Sequence, residues 1–246
     1  PRPKVTALAS QVFRLRHLDE VFMWAEKIGP EVPRSVEFQL LLTRKANGIL
    51  APGIEVIAPV LTHSWKQAKE DTAFLLRGPM RRHASLAFPL FPISTAMMST
   101  LAARRIFPPK MRWSVDNMWT NAPMEQLLPG LHTIADTMPP MTSHVLMISW
   151  HPPESRQDMA FSVEGKHYLA LYGEWKNPQD DTNYANWATD NIQAMEHLSV
   201  GIQLADENLG RRRARFLSPA NNYRLQAIRA TYDPEGIFHS WRSESL

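Results

Sequence analysis

The sequence predicts an α+β fold: an antiparallel sheet of about six or seven strands with helices packed on one face, plus a C-terminal helical segment. Three observations lead there. Strand-type segments sit next to each other in pairs, which favours antiparallel neighbours. Segments with apolar residues at helical spacing separate those pairs. The opening order of strand, helix, strand, strand, helix is that of a split α+β sandwich.

Val5 to Arg16 alternates loosely, with Val12, Phe13 and Leu15 among polar residues, and reads as the first strand. Leu18 to Ile28 follows as a helix with Leu18, Val21, Phe22 and Ala25 on one face and Gly29-Pro30 as its stop. Ser35 to Thr43 and Gly53 to Leu61 are strands, with Asn47-Gly48 as a turn signal between them. His63 to Leu76 is helical. Prolines 79, 89, 92, 108 and 109 cut the next stretch into short pieces, within which Ser94 to Arg105 forms a helix with Met97, Met98 and Leu101 facing inwards. Met111 to Met118 is a strand, Met124 to Met138 a helix closed by Pro139-Pro140, and Ser143 to Trp150 and Tyr168 to Trp175 two more strands. Asn183 to Leu198 is an amphipathic helix. The last helix, from about Asn222 to Thr231, buries Leu225, Ile228 and Tyr232 and ends before Asp233-Pro234.

Composition excludes several function classes. The 246 residues are 44% hydrophobic and 21% charged, ordinary for globular chains, so disorder is excluded and one large or two small domains are expected. No apolar run reaches the length that spans a bilayer. Cysteine is absent, which removes disulfides, thiolate metal sites and a cysteine nucleophile, and fits a cytoplasmic location. The net charge of +3 is concentrated mainly in Arg211-Arg212-Arg213 and Arg215, too local for a nucleic-acid-binding stripe. The start at Pro1, without Met or an apolar leader, suggests processing or a boundary within a longer protein.

Dinucleotide, P-loop, zinc-protease, EF-hand and nucleophile-elbow motifs are all missing. None of the nine histidines has zinc-ligand spacing, so no metal is expected; His144 and His151 are expected on opposite faces of one strand. Asp180-Asp181 reads as negative charge serving a helix N-terminus. No catalytic residue emerges from the sequence by itself.

Two segments are more specific. Asp158-Met159-Ala160-Phe161, Gly165-Lys166-His167-Tyr168, Glu174-Trp175-Lys176-Asn177-Pro178 and Trp187 form one; Asn221-Asn222-Tyr223-Arg224-Leu225 through Tyr232-Asp233-Pro234-Glu235-Gly236-Ile237-Phe238 form the other. Together they resemble the C-terminal part of berberine-bridge-enzyme-like FAD-linked oxidases, of the vanillyl-alcohol-oxidase type flavoprotein superfamily. The resemblance implies a substrate-binding domain over 1–205 and a C-terminal segment, 206–246, that packs on an FAD-binding domain absent here. It implies FAD as cofactor, held mostly by that other domain or by a partner chain, and hydride transfer from a C–H next to O or N, with O2 reoxidising the flavin. An apolar surface left by the missing domain implies self-association.

The resemblance also suggests site residues. Trp150, Tyr172 and Trp175 are candidate walls for a small-molecule substrate, or ordinary helix–sheet packing. Tyr172 and Glu174 share a strand face and Trp175 takes the other, so Glu174 is the nearest base if Tyr172 faces the flavin. Asn221, Asn222 and Tyr223 are placed by the resemblance near the flavin edge; the local alternative is that Asn221 caps the last helix and Tyr223 packs. The rival function is a non-enzymatic small-molecule-binding or interaction module on the same sheet.

Overall fold

A computed structural model describes residues 2–44, 52–140, 142–150, 159–206 and 208–239. Chain order is β1 (Val5–Arg14), α1 (Leu18–Ile28), β2 (Gln39–Thr43), β3 (Gly53–Thr62), α2 (Trp65–Asp71), α3 (Ala73–Leu76), β4 (Leu86–Pro92) and α4 (Thr95–Ile106). It continues with β5 (Arg112–Thr120), α5 (Met124–Thr137), β6 (His144–Ser149), β7 (His167–Trp175), α6 (Asp181–Tyr184), α7 (Trp187–Ala194), β8 (Ser199–Gly201) and α8 (Pro219–Tyr232). The strands form one sheet in the order β4-β1-β3-β2-β6-β7-β5-β8, and its strand pairings are antiparallel. The predicted fold class therefore holds, with eight strands among the described residues.

Period-two alternation decides which side of the sheet is covered. Val5, Ala7, Ala9 and Phe13 of β1, Ile54, Val56, Ala58 and Val60 of β3, Leu40 and Leu42 of β2, and Leu169 and Leu171 of β7 point one way. On them lie Val21, Phe22 and Ala25 of α1, Leu127, Leu131 and Ile134 of α5, and Trp187 and Ile192 of α7, spaced as one helical stripe each. This helix face holds the main core. The opposite face, called the open face below, carries a smaller cluster of Trp119, Tyr168, Ala170 and Tyr172.

The two additional strands have physical reasons for being hard to read. β4 contains Pro89 and Pro92, tolerated because it is an edge strand whose outer N–H groups need no ladder partner. β8 has three residues and, among the described residues, pairs only with β5. The stretch predicted as one helix over Asn183–Leu198 is broken into α6, α7 and a 3-10 turn at Glu196–Leu198. The Ser114 hydroxyl of β5 accepts the Ala188 amide, so the sheet itself sets where α7 begins. The Asn47-Gly48 turn and His151 lie outside the described residues.

Two expectations about buried faces are overturned. Met97 and Leu101 of α4 are 53% and 51% exposed, because α4 carries the chain from one edge strand, β4, to β5 near the other edge instead of packing on the helix-face core. On α8, Tyr232 is 80% and Ile228 45% exposed, and no residue of the helix is buried; Leu225 only leans on the cluster of Ile202, Ala214, Phe216 and Leu217. Among the described residues no helix is long and apolar enough to cross a membrane.

Candidate active site on the open sheet face

β7 and its neighbours build the site. Even positions of β7 face away from the helices, so Tyr168, Tyr172 and Glu174 stand in a row, beside His144 of β6 and Trp119 of β5. Trp175 points to the helix side, where its Nε1 donates to Asp181 Oδ1 at 2.7 Å. Asp180 takes the N-cap position of α6, without a side-chain capping bond, and Asp181 stands in its first turn, as the sequence suggested; Asp181 also binds Arg112 and Trp175, and these bonds hold its carboxyl below the usual range.

The phenols of Tyr168 and Tyr172 both donate to Asp206 Oδ2, each at 2.8 Å. Burial first, then the charge of Tyr172 and of Asp206 for Tyr168 and that of Asp206 for Tyr172, pushes both phenols well above their ordinary range, so they stay neutral. With each proton committed to Asp206, the phenol oxygens keep lone pairs that accept hydrogen bonds. His144 stacks on Tyr172 with ring centroids 4.6 Å apart and planes 11° apart. Its Nδ1 lies 3.0 Å from the Thr142 carbonyl, which can only accept, so Nδ1 carries a proton and Nε2 is the acceptor of the neutral ring.

Glu174 is wholly buried, and among the described residues neither of its oxygens has a hydrogen bond; His144 Nδ1 is 3.4 Å from Oε1. Trp119 Nε1 is a third buried polar atom on this face without a partner among the described residues. Such atoms cost free energy unless another group meets them. The rim is aromatic: Trp150, 41% exposed, is 6.0 Å from Trp119, and Phe107 touches Trp113, His144 and Tyr172.

Asp206 reaches this face because the segment after β8 bends round the sheet edge. Ile202 N–H donates to Arg215 O, and Asn117 and Gln203 exchange two hydrogen bonds. On the helix side Arg212 makes two bonds to Asp116, at 2.9 and 2.7 Å, and one to Glu196 at 2.6 Å. Burial opposes the Arg212 charge, yet the two carboxylates outweigh it and leave its pKa raised. The same segment is thus anchored on one face and delivers a carboxylate to the other.

The structure brings Tyr172, Glu174 and Trp150 onto one face, as the alternation required. Asn221, Asn222 and Tyr223 lie apart from that row, in the first turn of α8. Asn221 is not the cap: Ser218 is, its Oγ accepting the Asn221 amide, with Pro219 next. The Asn221 side chain instead donates to Met159 O at 2.7 Å, and Tyr223 does not pack, being 80% exposed. Asn222 is half-buried. The Ser218-Pro219 pair was the sequence signal for that helix start. Sequence reasoning missed His144, Tyr168, Asp206 and Trp119; only the even-residue spacing of Tyr168 from Tyr172 could have pointed to any of them.

This chain is similar to FAD-linked oxidoreductases. It is 22% identical over 225 residues to one from Penicillium janthinellum, and 24% identical over 225 residues to one from Penicillium ochrochloron. These matches cover 87% and 88% of this chain but 48% of each relative, so the chain spans about half the length of the curated relatives it matches. No family model matches it. Among solved structures, CrmK, a flavoenzyme involved in shunt product recycling in caerulomycin biosynthesis, superposes with a TM-score of 0.73 at 15% identity, covering 97% of this chain and 55% of CrmK. The 6-hydroxy-D-nicotine oxidase of Arthrobacter nicotinovorans gives 0.70 at 17% identity, over 96% of this chain and 53% of that one. A berberine bridge enzyme variant gives 0.68 at 10%, over 97% and 54%. The resemblance read from the sequence holds: the chain has the fold of berberine-bridge-enzyme-like flavoproteins and corresponds to about half of one.

Proposed function

We propose that this chain is the C-terminal, substrate-side part of an FAD-linked oxidoreductase, with 1–205 as its substrate-binding domain and 206–246 as the segment that packs on an FAD-binding domain or partner chain. One observation carries the reading: the face of the sheet turned away from the helices gathers two neutral phenols, a shared carboxylate, an imidazole and an unpaired buried carboxylate inside an aromatic rim. A flat ring and a small-molecule substrate laid on that face would lie over the aromatic rim, and a shift of the covering side chains would bring the buried, partnerless Glu174 oxygens and Trp119 N–H within their reach. The fit extends to the ring end of FAD only, since the chain has no glycine-rich phosphate loop.

Bound FAD would supply the acceptor for a hydride taken from a C–H next to O or N, with O2 as reoxidant. The chain's own residues orient the substrate and move its proton. Tyr168 and Tyr172 accept a hydrogen bond from a substrate hydroxyl or amine, and Asp206 Oδ2 receives a phenol proton as the substrate proton arrives. Glu174, beside His144, is a second proton acceptor on the same face. Trp150 forms part of the substrate wall. Asn221, Asn222 and Tyr223, with the exposed Tyr232, Ile237 and Phe238, lie on the surface that the FAD-binding domain or a second copy would cover. A cytoplasmic location goes with this reading.

The test separates the ring from the rest of the cofactor. The 246-residue chain is titrated with FAD and with lumiflavin, following quenching of flavin fluorescence. Both should bind weakly and alike, Tyr172→Ala should weaken both, and the chain alone should turn over nothing. Stoichiometric flavin co-purifying with it, FAD binding far tighter than lumiflavin, or no binding of either would overturn the proposal.

A further inference from the structure

We infer that His17, Glu20 and His83 form a binding site for a divalent transition metal of the zinc type. The three residues come from two pieces of chain: His17, the N-cap residue of α1, with Glu20 three residues on in its first turn, and His83 at the end of a 3-10 turn at Pro79–His83. Their donor atoms all lie within 4.8 Å of one another. Both imidazoles aim Nδ1 at the same carboxylate oxygen, Glu20 Oε2, at 2.9 Å from His17 and 3.9 Å from His83. The two rings are 5.2 Å apart. Neighbouring donors on a tetrahedral zinc ion sit about 3.3 Å apart, given bond lengths near 2.0 Å. The two distances to Glu20 lie on either side of that value, so side-chain adjustments alone would close the site.

The donor set selects the ion. Two imidazoles with one carboxylate suit zinc, cobalt or nickel; magnesium and calcium prefer oxygen ligands alone. Three protein ligands leave a position for water. The histidine side chains are 15% and 30% exposed and held by the fold, whereas Glu20, at 56%, closes the site from the solvent side.

The neighbouring arginines set the cost of loading. Arg16 Nε donates to His17 Nε2 at 3.3 Å, and Arg82 Nε donates to His83 Nε2 at 3.0 Å. A nitrogen that accepts carries no proton, so in the metal-free protein each neutral ring is protonated on Nδ1. Metal binding takes the Nδ1 lone pairs and moves each ring proton to Nε2, which obliges both exposed arginines to turn into solvent. Losing two exposed hydrogen bonds is a small cost, but two nearby positive charges weaken the site. The arginines therefore tune affinity, and removing one should strengthen binding.

The site lies by the β1–β4 edge, and β1 is four strand positions from β7. At the ladder spacing that is about 19 Å from the Tyr168–Tyr172 row. It is independent of the flavin proposal, and its expected role is structural: it ties the start of α1 to the turn that leads into the edge strand.

The 246-residue chain, stripped with a chelator and dialysed, is titrated with Co2+ followed by its visible d–d absorption, and with Zn2+ by calorimetry and melting. One equivalent should bind, and a hundredfold excess of Zn2+ over the dissociation constant should raise the melting temperature by about 5 °C or more. His83→Ala and Glu20→Gln should each weaken binding about tenfold or more, and Arg82→Gln should strengthen it. Glu20 is exposed, so Glu20→Gln keeps the test valid if a histidine variant fails to fold. No saturable binding, or one equivalent that survives both Glu20→Gln and His83→Ala, would overturn the assignment.

Discussion

Acidification should destabilise this protein through one residue, His167. It begins β7 on the helix side, is 4% exposed, and has no hydrogen-bond partner for either ring nitrogen among the described residues. Glu26 Oε1 is 3.9 Å away, too far for a hydrogen bond. Burial, helped by the charge of Lys166, pushes its pKa from 6.5 down to about 4. The unfolded chain therefore takes up a proton as pH falls below 6.5, while the folded chain does not until about 4. Across that window the unfolded state binds more protons, so stability is full above the upper value and falls as pH drops. The whole window is worth about 3 kcal/mol, and about 1 kcal/mol of it is already lost at about pH 5.5. The assay is urea unfolding at about pH 7.5 and 5.5, on the natural chain and on His167→Gln, which keeps a polar side chain that does not titrate there. The variant should lose about 1 kcal/mol less than the natural chain between the two pH values. Equal losses would refute the reasoning, because the subtraction removes every other titrating group.

Replacing Arg212 by Met leaves Asp116 buried without its cation and should cost about 3–5 kcal/mol in urea unfolding, partly recovered by adding Asp116→Asn. Asp206→Asn removes the charge that adds to burial at Tyr168 and Tyr172, so tyrosinate absorbance should begin to rise at lower pH; an unchanged titration would break the proposed phenol–carboxylate unit. Ser218→Ala removes the cap of a helix with no buried residue. Amide exchange in α8 should quicken about fivefold while the global unfolding midpoint stays put.

Local pattern was enough for much of the fold. Leu18–Ile28 was legible to the residue because its apolar spacing, its first turn and its Gly-Pro stop all agree. β3, β5, β6 and β7 were legible within about two residues because alternation on a half-buried surface leaves a strong trace. β4 was not, since its prolines argue against a strand unless the strand is known to be an edge. The inward faces assigned to α4 and α8 failed for a related reason: an amphipathic stripe says that a face is apolar, not that anything lies against it.

By itself the sequence determined the fold class, most strand and helix positions, the shared face of Tyr172 and Glu174, and the resemblance to flavin-linked oxidases, because each rests on neighbours in the chain or on short contiguous segments. Only the tertiary structure decided which groups meet across the sheet. Asp206 joins Tyr168 and Tyr172 from more than thirty residues away, and His83 joins His17 from the far side of β3, α2 and α3. Strand pairing and the path of the chain round an edge set those distances, and no local periodicity records them.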